Sequence, residues 1–155
     1  MTTTQTSTRK VDVKTAELEE RVSTKVSPAN DTMIRFDEGL IGLAECKYFA
    51  LGSINNVKPF RLLECAGPRQ ISFVVLDPTV RVPDYYQQIP DREWEAVGAT
   101  NPKSRLALAI VNLGLNAHDS SANLQAPILI NLETMAGRQV ILTDSSFCVR
   151  TPLVG

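Results

Sequence analysis

Two carboxylates and two phenols crowd the stretch ISFVVLDPTVRVPDYY, residues 71–86: Asp77, Asp84, Tyr85 and Tyr86. Such groups can carry protons in catalysis or line a recognition surface, and loops held by a rigid scaffold bear a disproportionate share of both roles. Pro78 and Pro83 stiffen the stretch, so little ordering entropy is lost when such a surface binds. Structural uses compete with these. Asp77 can close an apolar strand by bonding the local backbone while Pro78 stops further pairing. The tyrosine rings can cover a core edge and leave their hydroxyls in water. As a combination, a proline-stiffened cluster of carboxylates and phenols suits recognition.

Catalysis needs a constellation, and the rest of the chain supplies none. His118 is the single histidine, in the loop Asn116-Ala117-His118-Asp119-Ser120-Ser121. A hydrolase triad converges from separate elements and needs an oxyanion hole, so adjacency in one loop reads as a solvated histidine. One histidine, three dispersed cysteines and scattered carboxylates make no recognisable metal-ligand set. Gly39-Leu40-Ile41-Gly42 lacks the Lys and Ser/Thr of a phosphate loop and the third glycine of a dinucleotide turn, so it reads as a turn. Cys46, Cys65 and Cys148 are odd in number and form no CxxC pair. Reduced, partly buried thiols are expected of them. The expectation is a non-enzymatic protein with no cofactor.

Charge narrows the partners. Sixteen basic residues stand against seventeen acidic ones, a formal net charge of −1. Phosphate-backbone binding needs clustered positive charge, and there is no long Lys/Arg run, so direct nucleic-acid binding is not expected. A β-barrel that stacks bases on Tyr85, Tyr86 and Trp94 is the rival reading, and a cofactor-binding barrel enzyme using Asp77 or His118 is a weaker one. Neither the first thirty residues nor LALAIVNLGL, residues 106–115, contains a leader or the ~20 apolar residues of a membrane span. A cytoplasmic protein is expected.

The elements that must position these groups are mostly strands. At 155 residues the chain is one domain's length. Residues 1–31 read as a flexible N-terminal arm with a possible strand at Thr8–Lys14, and residues 32–155 as the compact domain. Short apolar runs between turn residues predict strands at Met33–Phe36, Tyr48–Leu51, Phe60–Glu64, Ser72–Leu76, Ala107–Asn112, Pro127–Asn131 and Gln139–Asp144. Glu133 to Arg138 reads as a hairpin connection in which Gly137 takes positive φ. One helix is predicted over Arg92–Val97, capped by Asp91 and stopped by Gly98, with Trp94 and Val97 facing the sheet. The fold class is all-β: an antiparallel β-barrel-like domain with one short helix inserted, closed because open edges template aggregation.

Taken in order, IRFDEGLIGLAECKYFAL, PFRLLEC, ISFVVLDPTVRVPDY, SSANLQAPILINLETMAGRQVIL and VRTPL resemble the flagellar assembly factor family FliW, over roughly residues 33–153. Leu43 stands where the family usually has Phe, and Ile41 where Pro is common; the arm is longer and less acidic than the family's. The resemblance implies a cytoplasmic regulator with two protein partners, flagellin and the RNA-binding translational regulator CsrA. In that scheme the protein antagonises CsrA and so relieves repression of flagellin translation, and new flagellin titrates it back. Beyond residue 30 the chain carries eleven basic and thirteen acidic side chains, a mildly acidic balance that suits a partner with a positive face. On motif position and residue chemistry, Asp77, Asp84 and Tyr85 are expected in a partner-binding rim, with the 119–127 segment around Asn123, Gln125 and Pro127 as a second candidate.

Overall fold

Side chains alternate along the strands of this chain, and three of the strands set them between two apolar environments. A computed structural model describes residues 32–54, 58–67, 70–116 and 119–153. The expected arm with its strand at Thr8–Lys14, and His118, lie outside the described residues. The strands are β1 (Thr32–Arg35), β2 (Tyr48–Ser53), β3 (Arg61–Cys65), β4 (Ser72–Leu76), β5 (Arg105–Asn112), β6 (Ser121–Ala122), β7 (Ile128–Asn131), β8 (Ala136–Gln139) and β9 (Thr151–Pro152).

Seven of them form a closed barrel in the order β4-β3-β2-β1-β8-β7-β5, with β5 pairing back onto β4. The expected all-β barrel with a short helix is present. Pairing is antiparallel except between β1 and β8, which meet in parallel where Arg35 faces Ala136. An odd number of strands cannot alternate direction all the way round, so one parallel seam is unavoidable. The short strands β6 and β9 extend from β5 as a small flap.

Period-two alternation decides what each strand buries. Ile34, Phe49, Leu63, Val75, Leu108, Ile128 and Ile130 point into the barrel. On the opposite face of β4, β5 and β7, Val74, Leu76, Ala107, Ala109 and Leu129 pack in a second cluster with Tyr85, Ile89 and Trp94. These three strands are therefore buried on both sides, as their near-continuous apolar sequences require.

The helical insert builds that second layer. Helix α1 spans Asp91–Glu95, and its N-cap is Pro90, with Asp91 inside the first turn instead of capping it. Pro90 already holds the extended φ and ψ that a cap needs. Trp94 is fully buried, its ring stacked on Tyr86 at 5.8 Å with the Arg105 guanidinium 5.3 Å from its centroid. Gly98 leaves the helix at φ +72°, as expected of a stop.

Three expectations fail locally. The turn before β8 puts Met135 at positive φ, while Gly137 lies inside the strand. A Cβ on Gly137 would stand 2.7 Å from the Phe36 ring, so this glycine serves close approach to the barrel filling. The predicted strand Gln139–Asp144 starts earlier, at Ala136. Past Gln139 the chain still bonds the Pro127 and Gln125 carbonyls through the Val140 and Leu142 amides, but Pro127 has no N–H to complete a ladder. Finally, Cys46 and Cys65 are not free thiols. They form a disulfide with 6.3 Å between their Cα atoms, and only Cys148 remains free and exposed. The β2–β3 hairpin carries the two together across 19 residues of sequence, which no local spacing motif reveals.

Candidate docking surface

Asp77 caps a 3-10 turn, Pro78–Val80, by accepting from the Thr79 amide at 2.9 Å and the Thr79 hydroxyl at 2.8 Å. Its other oxygen accepts from the Tyr86 hydroxyl at 2.9 Å. That hydroxyl in turn accepts from the Ala107 amide at 2.8 Å, taking up a β5 donor just beyond the end of β4. Burial, ahead of the nearby Asp77 carboxylate, pushes the Tyr86 pKa above the ordinary phenol value, even though the Ala107 backbone pulls the other way. Half-buried Asp77 is thus occupied by the fold.

Tyr85 corrects the expected rim most sharply. It is fully buried, its ring 4.8 Å from that of Phe147, and its hydroxyl donates to the Leu124 carbonyl at 2.6 Å. Desolvation raises its pKa as well. Its role is to tie the segment after β4 to the segment after β6, the two stretches singled out from sequence. Burial also removes Trp94 and Tyr85 as base-stacking platforms. Of the first set, Asp84 is exposed, accepting from Gln88 Nε2 at 3.1 Å.

In the second set, half-buried Asn123 folds a turn by accepting from the Gln125 and Ala126 amides, both at 3.1 Å. Pro127 is buried and accepts from Val140. Gln125 is half-buried and faces a groove of about 320 Å³.

That groove is the feature sequence reasoning missed. It sits at one mouth of the barrel, where Phe73 at the start of β4 and Ile110 near the end of β5 complete the inward-facing set. Ile41, Ile141 and Val149 stand around it 55%, 52% and 48% exposed. Gln139 braces the wall: its side-chain oxygen accepts from the Ile41 amide at 3.0 Å and its amide donates to the Ala126 carbonyl at 3.1 Å. A legible signal existed in Gln139-Val140-Ile141-Leu142, since with Val140 and Leu142 buried in the second cluster the alternation leaves Ile141 exposed on the other side.

A wider polar depression of about 410 Å³ adjoins this groove through Ile141, with Arg92 and Asp144 on its walls 4.0 Å apart. Among the described residues no group of three or more His, Cys, Asp or Glu side chains is placed to hold a metal ion, and no helix is long and apolar enough to cross a membrane.

A closed barrel with an apolar, solvent-open groove at one mouth defines the class: a small β-barrel protein. The family model described as FliW protein matches residues 17–153, starting upstream of the described barrel. The flagellar assembly factor FliW of Leptospira interrogans serogroup Icterohaemorrhagiae serovar Lai (strain 56601) is 34% identical over 131 residues, 84% of this chain and 87% of the relative. That of Borreliella afzelii (strain PKo) is 31% identical over 124 residues, 78% of this chain and 92% of the relative. A crystal structure of the flagellar assembly factor FliW aligns with a TM-score of 0.72 at 28% identity, over 84% of this chain and 90% of that one. The chain belongs to the FliW family of flagellar assembly factors.

Proposed function

We propose that this protein acts in the cytoplasm as a partner-switching regulator, binding flagellin and antagonising CsrA so that repression of flagellin translation is relieved. It makes and breaks no covalent bond in its partners. The observation that carries the reading is the apolar mouth of the barrel. Ile41, Ile141 and Val149 expose aliphatic surface around a braced groove, and buried apolar anchors supply most of the affinity of a protein interface. The half-buried Asn123 and Gln125 line that groove and provide a polar rim, which selects partners and speeds encounter. Tyr85 supports that surface from within through the Leu124 carbonyl, and Pro127 does so through the Val140 amide.

The test is calorimetric titration of purified flagellin and, separately, CsrA into the protein and its Ile141→Asp variant. Ile141 is exposed, so the variant keeps its melting temperature, and the affinity for at least one partner falls roughly tenfold or more. Absence of binding to both partners by the parent protein refutes the reading.

A further inference from the structure

The disulfide stands at the same mouth of the barrel as the groove. Cys65 is the last residue of β3, pairs with Phe49 on β2, and donates its amide to the Ile71 carbonyl. Cys46 ends the loop that supplies Leu40 and Ile41 to the groove wall. That loop is held by the Leu43 amide on the Leu40 carbonyl at 2.8 Å, the Cys46 amide on the Leu43 carbonyl at 3.1 Å, and the Ile41 amide on Gln139. Leu40, Cys46 and Cys65 lie in one buried cluster, with Leu43 and Phe73 packed at its margin. The covalent bond therefore joins the loop that walls the groove to the closed barrel.

In a cytoplasm, glutathione and thioredoxin keep most thiols reduced, and the disulfides that do form there are usually reversible and redox-sensing. We propose that the Cys46–Cys65 disulfide is a redox latch on the groove: formed, it holds the 39–46 loop in docking geometry, and reduced, it frees that loop and weakens docking. The link to docking rests on the function proposed above. The oxidant is an organic disulfide of the glutathione class. One cysteine thiolate attacks a sulfur of that disulfide and expels a thiolate. The other cysteine then attacks the protein sulfur of the mixed disulfide and expels the second. Two protein thiols are oxidised, one organic disulfide becomes two thiols, and the two protons pass to them. Preorganisation is the physical reason for the sign, since a wall already ordered loses less entropy on binding.

The test uses the full chain carrying Cys148→Ser, which removes the free exposed thiol, and a Cys46→Ala, Cys65→Ala version of it. Both are equilibrated in oxidised or reduced glutathione, counted for free thiols by alkylation and mass, and followed by amide hydrogen exchange and flagellin titration. On reduction, exchange at the Leu43 and Cys46 amides accelerates roughly tenfold or more while β7 amides stay protected over the same interval. Flagellin affinity falls at least about fivefold, and the alanine version behaves as the reduced protein in both buffers. Two free thiols in oxidised glutathione, unchanged loop exchange, or loop exchange that changes with equal affinity in both states each overturns the latch. If flagellin binds in neither state, the flagellin part of the proposed function fails, and loop exchange alone decides whether the bond holds the wall.

Discussion

Tyr85 concentrates several roles in one side chain: buried ring, hydrogen bond to Leu124, and contact with Phe147. Replacing it by Phe keeps the ring and leaves the Leu124 carbonyl without its donor, at a cost of about 1–3 kcal/mol. Urea denaturation of Tyr85→Phe checks this through a lower midpoint at unchanged slope. Tyr86 adds a pH signature. Burial raises both phenol pKa values, so the stabilisation from keeping them neutral is complete below the unfolded value of about 10 and is lost as pH rises through the folded values. Stability measured between about pH 9 and 11 falls, and the fall is shallower in a variant carrying Tyr85→Phe and Tyr86→Phe. Gly137 belongs to the same scale. Gly137→Ala forces its Cβ against the Phe36 ring, and a loss of about 1–3 kcal/mol from overpacking is expected in the same denaturation assay.

At the scale of elements, the insert between β4 and β5 is a lid on the outer face of the sheet, held by Trp94. Trp94→Ala opens a cavity in a fully buried site and costs about 3–5 kcal/mol, read as a large drop in melting temperature. Much of this level was legible. The Ser72–Leu76 run is β4 without change of boundary, because an apolar run ended by Asp-Pro states both its period and its stop. The helix was legible through Trp94 and Gly98, whose packing and conformation are local consequences of residue type. Boundaries slipped where a distant contact decides. Gly137 reads as a turn residue until Phe36 is seen against it, and β8 stops because Pro127, on another segment, offers no donor. The proposed docking site was less legible for the same reason. Asp77 and Tyr85 look like surface chemistry in a line of text, but the fold buries Tyr85 and ties Asp77 to Thr79 and Tyr86. Ile41, Ile141 and Val149 come from three separate stretches that only the barrel mouth brings together.

At the scale of the molecule, closure of seven strands with one parallel seam leaves the barrel without a free edge, and on the proposed reading recognition falls to its mouth. The account stands on that mouth being the surface that holds a protein partner. The most direct measurement is the dissociation constant for flagellin of the parent protein beside Ile41→Asp, Ile141→Asp and Val149→Asp, each checked for an unchanged melting temperature. The account predicts that the parent binds and that the three variants, folded as before, each lose roughly tenfold or more in affinity. Undiminished binding by all three would contradict it.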